Sequence, residues 1–342
     1  MRITELLEGG WDTIVTQGTV INPATVKLAL AKVQQFVADF NGWLSARDQG
    51  PVELGGPTGS GTYHEIDARE HPHKVYGDID LQMIAPDLPG ATHGQYTAHW
   101  NKLADQFVKS TLPSYIHAGE SKPGHPIFQI GPDQYVQVDF MWHPPQLRAW
   151  GAARVTPERG VKGLLTGNMY SVLGELLDMS IQHAGVQLKT IDGEHVPFSK
   201  QKGVVVKTIS TDPSSFIYDI FMNEYEQITG QEPGTAKVDP LLDRFRGNDP
   251  SDVKISKLIN AVKGLARSFQ INGMYGKKDL AGFSDAHDFL NKFVDRYEQK
   301  AMTDVNAKKR DKAETPEAKA RADADRQKVL SGLDKVKGLF NL

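Results

Sequence analysis

The sequence predicts an α+β protein: a small mixed-sheet domain over residues 1–150, a mostly helical domain with one β-hairpin over 151–300, and a charged helical tail over 301–342. Three observations predict it. Apolar residues recur at helical spacing from Val26 to Leu44, short alternating runs crowd between Tyr76 and Trp142, and beyond Pro145 long helical patterns take over. A chain of 342 residues with 39% hydrophobic content can bury a core in each of two domains.

Each element has its own signal. Asn22 caps a helix whose first position is Pro23, and Val26, Leu30, Val33, Val37, Phe40 and Leu44 form its apolar face. After a glycine-rich stretch at Gly55 to Gly61, Tyr76 to Ile84 alternates as a strand, and Gln95 to Thr111 reads as a helix. Strand-like runs follow at Ser114 to Ala118, Pro126 to Ile130 and Gln134 to Trp142, the last two joined by a turn at Gly131, Pro132 and Asp133. The small domain ends near Pro145. Beyond it, helices are expected over Glu158 to Ala184, Pro213 to Thr229 and Ser251 to Ile271, the last striped by Ile255, Leu258, Val262, Leu265 and Phe269. Between the first two, Val186 and Leu188 alternate on one side of Asp192 and Gly193, and Val204 and Val206 on the other, as in a β-hairpin. The tail from Lys300 to Lys337 is dominated by Lys, Arg, Asp, Glu and Ala and reads as an exposed or partly disordered helix. Val329, Leu333, Val336 and Phe340 nevertheless follow helical spacing, which suits docking on the body of the chain.

Composition narrows the chemistry. With no cysteine there is no disulfide, thiolate zinc site or cysteine nucleophile, so any metal must be held by oxygen or imidazole. A net charge of -3 lacks the positive field of a strong non-specific nucleic-acid binder, although a local basic groove is compatible with it. There is no apolar run of membrane-spanning length, and the first ten residues carry two glutamates in place of a basic, then apolar, leader. A soluble, cytoplasmic protein with no membrane partner is expected.

The strand Tyr76 to Ile84 carries the sharpest chemical signal. Its period of two puts Asp78 and Asp80 on one face, about 7 Å apart between Cα atoms, with Ile79 and Leu81 on the other. Asp is disfavoured in strands, and two anions on one face repel unless a cation lies between them. Mg²⁺ takes hard oxygen ligands and keeps room for water and phosphates, so it suits the pair. Asp139, nearly the sole charge between Gln134 and Trp142, offers a third carboxylate on another apolar strand. The bland alternative is that these aspartates mark solvated strand ends. Upstream, Gly55 to Thr62 has backbone N–H groups and hydroxyls that can cradle a triphosphate. It is no P-loop, because Thr62 and Tyr63 stand where that motif needs Lys and then Ser or Thr.

A Gly-Ser pair, then a strand with Asp-x-Asp between apolar residues, then a lone Asp on a later strand, resembles the DNA polymerase β superfamily of nucleotidyltransferases. Poly(A) polymerases, CCA-adding enzymes and cyclic-oligonucleotide synthases share the pattern. The match spans Leu54 to Trp142: Gly59 and Ser60 correspond to the phosphate-positioning pair, Asp78 and Asp80 to the ligands of both metals, and Asp139 to the third ligand. One departure is the long stretch from Ser60 to Asp78, for which an insertion carrying His64, His71 and His73 accounts.

The resemblance implies that residues 1–150 are a catalytic domain and 151–300 a helical substrate- and nucleotide-binding domain, with Lys162 as its first candidate phosphate ligand. It also implies two Mg²⁺ ions, replaceable by Mn²⁺. One, on all three aspartates, would activate an acceptor hydroxyl; the other, on Asp78 and Asp80, would bind the nucleoside triphosphate, ATP among the candidates. The expected reaction moves a nucleoside monophosphate to a hydroxyl, an RNA 3′ end such as that of tRNA leading the candidates. A cyclic or linear oligonucleotide signal, a protein or small-molecule acceptor, and an inactive nucleotide-binding regulatory module are the alternatives.

Other residues carry weaker signals. His64, His71 and His73 are more simply exposed than zinc ligands. Trp142 with His143, and Tyr170, are as compatible with core packing as with stacking on a base. No G-x-S-x-G nucleophile elbow is present.

Overall fold

The computed structural model describes residues 19–58, 64–70, 72–73, 76, 79–89, 91, 93–117, 121–152, 155–156, 163–182, 185–191, 194–195, 205–247, 253–277, 280–307 and 316–340. It is an α+β protein of two compact units, residues 1–152 and 153–342.

The first unit begins with α1 (Pro23–Ser45), where the Asn22 side chain accepts the Thr25 N–H at 3.0 Å and Pro23 opens the first turn. Val26, Ala29, Val33, Phe36, Phe40 and Leu44 are its fully buried stripe. The expected Leu30 and Val37 flank that stripe and are partly buried, because Ala29 and Phe36 face the sheet more squarely. β1 (Glu53–Pro57) follows, then α2 (His64–Glu70), β2 (Asp80–Ile84) and α3 (His93–Thr111). The glycine-rich stretch is thus partly a strand. β1 runs antiparallel to β2 with a bulge between Leu54 and Gly56, where Gly56 takes a φ of +113°. A Cβ on Gly55 would meet the Gln82 side chain, 2.4 Å from Oε1, so the glutamine as placed lies where a larger residue at 55 would reach.

Next come β3 (Ile127–Gly131), β4 (Gln134–Gln137) and β5 (Asp139–His143), then α4 (Arg148–Ala152). The run expected as one strand from Gln134 to Trp142 breaks at Val138. β4 turns back on β3 as an antiparallel hairpin, while β5 joins the other sheet beside β2 in parallel, giving the order β1, β2, β5. The physical cause is competition for Val138 and its neighbours: the Val138 N–H donates to the Pro126 carbonyl at 3.0 Å and the Asp139 N–H to the Ile79 carbonyl at 2.8 Å. The Ser114 to Ala118 run contributes a single bridge, Ile116 to Phe128. One face of the three-stranded sheet, through Leu81, Met83, Phe140 and Trp142, meets α1 and α3 in a shared core. At its centre Phe36 packs against Phe40, Phe107, Phe128 and Phe140, ring centroids 5.2–6.0 Å apart.

The second unit contains β6 (Val155–Thr156), α5 (Gly163–Leu176), β7 (Ser180–Gln182), β8 (Gly185–Ile191), β9 (Glu194–His195), β10 (Val205–Ser210), α6 (Phe216–Thr229), α7 (Pro240–Asp243), β11 (Val253–Lys254), α8 (Ile255–Ile271), α9 (Ala286–Ala307) and α10 (Pro316–Phe340). The helix expected through Ala184 ends at Leu176, and Ser180 to Gln182 instead pairs with β8. Chain reversal happens because Asp178 adopts a φ of +55°, which helical backbone does not allow, and the Met179 N–H returns to the Gly174 carbonyl at 2.7 Å. β8 pairs with β10 as the expected hairpin had it, with β7 on the far side of β8, but the strand that comes next after Asp192 and Gly193 is β9, which pairs with β8 at Thr190 and Ile191; Asp192, Gly193 and Val204 lie outside the described residues. α8 is the axis of this unit: all five residues of its expected stripe are buried, as are Ile259, Ala261 and Ala266. α7 crosses it where Gly264 has no side chain, since a Cβ there would meet the Leu242 backbone.

α10 packs on α9 and α8. Val329, Leu333, Val336 and Phe340 are buried, Phe340 meets Phe293, and Lys337 pairs with Glu298 at 2.7 Å. Lys263 from α8 donates to the Leu339 carbonyl at 2.7 Å, satisfying one of the orphan acceptors at the helix end. The tail therefore docks on the body of its own chain. No helix among the described residues is long and apolar enough to cross a membrane.

Candidate metal centre

The apolar alternation of β2 and β5 decides where their acids go. With Leu81 and Met83 matched to Phe140 and Trp142 in the core, the same register sets Asp80 beside Asp139, Gln82 beside Met141 and Ile84 beside His143. Residues in register on neighbouring strands share a face, and the strands lie about 5 Å apart. Asp80 and Asp139 thus occupy one register position at the N-terminal ends of two parallel strands.

The remainder of that face is closed. Gln82, 1% exposed, donates Nε2 to the Arg148 carbonyl of α4 at 3.0 Å, and His143, 1% exposed, bonds through Nδ1 to the Met141 carbonyl at 3.0 Å. Arg148 also pairs with Glu53 on β1, fastening α4 across the strands. Asp80 and Asp139 are half-buried. The face is sealed at one end and carries its acids at the other.

Asp139 is oriented by two neighbours. Gln137 Nε2 donates to its Oδ1 at 2.7 Å, and His125 Nδ1 lies 2.8 Å from the same oxygen. Since a carboxylate oxygen accepts, the His125 Nδ1 carries the proton. His125 was not legible as a functional residue: it is a lone histidine between Gly124 and Pro126, with no spacing to a carboxylate in the sequence. Gln137 carries only the weak hint of lying two residues before Asp139.

The remaining sequence-predicted residues divide clearly. Asp78, Gly59, Ser60, Lys162 and His71 lie outside the described residues. Their neighbours are placed: Thr58 donates its N–H to the Asp80 carbonyl at 2.8 Å, and Ile79 is wholly buried and accepts from the Asp139 N–H. His64 is buried at the start of α2, where the sequence suggested exposure, and His73 is exposed. The histidines of the insertion are therefore not alike. Trp142 belongs to the core, stacked on Trp100 with its Nε1 donating to Asn101 at 2.6 Å. Tyr170 sets its ring edge-on against Phe216 in the second unit.

Among the described residues no three His, Asp or Glu side chains form a complete cation cage. The acids described on this face are Asp80 and Asp139, in register on neighbouring strands, and Asp139 is held by two N–H donors. No protein-family model, curated protein or solved structure matches this chain.

Proposed function

We propose that this chain is a metal-dependent nucleotidyltransferase that moves a nucleoside monophosphate from a nucleoside triphosphate to the 3′ hydroxyl of an RNA such as tRNA. The observation that carries the reading is the placement of Asp80 and Asp139 at one register position of adjacent parallel strands. Like charges at one register position repel unless something offsets them, and in this reading a bound cation contributes to that offset.

In this reading Asp78, Asp80 and Asp139 hold Mg²⁺, with Mn²⁺ as a substitute. When bound, the metal neutralises charge on the triphosphate and lowers the pKa of the acceptor hydroxyl. Asp139 Oδ1 is taken up by Gln137 and His125, leaving Oδ2 for the ligand. Gly59 and Ser60 follow directly on Thr58, whose backbone is tied to Asp80, and would present N–H and hydroxyl donors to phosphate oxygens. Gln82 and α4 close the sheet face behind the acids and keep water from that side.

The RNA acceptor follows from the resemblance. The test is incubation with labelled ATP or CTP, Mg²⁺ and total RNA, followed by separation of RNA, nucleotides and protein. Label in RNA with release of pyrophosphate is the expected result. Labelled oligonucleotides formed without RNA, or label on protein, would keep the transferase and replace its acceptor. No transfer to any acceptor under conditions where the nucleotide binds would end the proposal.

A further inference from the structure

We infer that the second unit carries a binding site for a small phosphate ester, in a cavity at the C-terminal ends of α6 and α8, where Lys237 and Lys277 hold the phosphate and Ile228 and Ile271 bear the body of the ligand. The site is separate from the carboxylates of the first unit and does not depend on the transferase reading.

The walls of the cavity are fixed by their own hydrogen bonds. α6 stops at Gly230, whose φ of +69° turns the chain away, and Pro233–Thr235 form a short 3₁₀ turn in which the Thr235 and Ala236 N–H groups return to the Glu232 and Pro233 carbonyls at 3.0 and 3.1 Å. Buried Tyr225 gathers this loop, its hydroxyl donating to Gln231 Oε1 and lying 3.0 Å from Thr235 Oγ1. Asn272, at the end of α8, accepts the Lys237 N–H at 3.0 Å and donates Nδ2 to the Lys237 carbonyl at 2.7 Å. The Lys277 N–H bonds to the Met274 carbonyl at 3.2 Å, and the Leu280 N–H returns to the Lys277 carbonyl at 2.8 Å. The space they border is about 360 Å³, inside the range of about 300–1,000 Å³ that small-molecule sites occupy.

Charge selects the ligand. Lys237 and Lys277 both line the cavity, and no carboxylate is among its described lining residues. Among the described residues neither ammonium has a partner, whereas Lys292 and Lys337 of the same unit pair with Asp288 and Glu298. The ends of α6 and α8 each contribute about half a negative charge, which balances about one of the two ammonium groups and leaves a positive surplus. Gln231, its Oε1 held by Tyr225, retains Nε2 as a third donor. A phosphate monoester, with a charge of about -1.5 to -2 and three acceptor oxygens, matches two ammonium groups and an amide better than a singly charged carboxylate does. Ile271 is 51% exposed and Ile228 partly buried, so apolar surface lies in the same cavity as the cations and suits an organic body on the phosphate.

The experiment is calorimetric titration of the full chain, in excess EDTA so that no metal mediates binding, with phenyl phosphate, inorganic phosphate and phenylacetate at constant ionic strength. The native protein is compared with the double variant Lys237→Met, Lys277→Met and with Ile271→Ser, and melting temperatures without added anion are read in parallel. Phenyl phosphate should bind about tenfold or more tightly than either inorganic phosphate or phenylacetate. The double lysine variant should weaken it about tenfold or more at an unchanged melting temperature, as loss of hydrogen bonds to charged donors requires. Ile271→Ser should narrow the advantage of phenyl phosphate over inorganic phosphate. Absence of phenyl phosphate binding, equal affinity for phenylacetate or inorganic phosphate, or native affinity in the double variant overturns the inference. If the double variant does not fold, each single lysine variant is titrated in its place, and native affinity in both overturns it.

Discussion

Charged side chains meet different neighbours on the helices of the second unit and on the central strands of the first. In the second unit, charged side chains meet opposite partners across the surface, as Glu175 does with Arg296 and Glu298 with Lys337. Such pairs are weakly stabilising at best and serve packing. In the first unit, the register of β2 and β5 brings two acids together at the end of a face that is otherwise sealed. The difference teaches that opposite charges meet where helices α5, α9 and α10 present them to one another, whereas strand register brings like charges together in β2 and β5, where His125 and Gln137 bond to Asp139.

The largest expected effect breaks the comparison at the acids. Replacing Asp80 and Asp139 together with Asn removes both negative charges, and with them the proposed cation ligands, at nearly unchanged size. Nucleotidyl transfer should fall about a thousandfold or more, equivalent to ~4 kcal/mol of barrier. The melting temperature should hold or rise. Unchanged transfer in the double variant would return the acids to the status of solvated strand ends, and an inactive regulatory module would become the better reading.

A mid-sized effect is expected in the second unit, where packing has no slack. Gly264→Ala gains about 1 kcal/mol of helix propensity but drives a Cβ into the Leu242 backbone. Net destabilisation of about 1–3 kcal/mol should follow, measured by denaturant unfolding, with Mn²⁺ affinity unaffected. A stabilised variant would mean that α7 shifts freely on α8.

The smallest effect concerns Asp219, which accepts from Ser210 at 2.5 Å and Ser215 at 2.9 Å. Burial raises its pKa above the ordinary Asp value, and the two serine hydroxyls and Arg246 only partly oppose this while Asp212 adds to it. A raised folded value gives stability that is complete below the unfolded pKa and lost as the pH rises through the folded one. Asp219→Asn should therefore flatten the decline in stability from mildly acid to neutral pH, as read by denaturant unfolding at each. An identical decline in both proteins would locate the titration elsewhere.

Much of the fold was legible because it is local. Asn22 and Pro23 start α1, Asp133 takes the positive φ that its turn needs, and the stripe from Ile255 to Phe269 faces the core as spaced. The failures share a cause. The Gln134 to Trp142 run alternates without interruption, yet partners far away in sequence split it, Phe128 and its neighbours claiming one half and Asp80 to Ile84 the other. Ser180 to Gln182 lacks any strong strand signal and pairs because β8 offers an edge. His125 reaches Asp139 through a turn whose position depends on Asn101 and Phe140.

The sequence by itself determined the faces: period two put acids on one side of a strand and apolar residues on the other, and period 3.6 set the buried stripes of α1 and α8. Tertiary structure alone decided the neighbours, matching Asp80 to Asp139 and bringing His125 and Gln137 to one carboxylate oxygen. The reason is physical. A residue's face follows from the backbone geometry of its own segment, whereas its partner depends on which distant segments satisfy one another's hydrogen bonds while burying the most apolar surface.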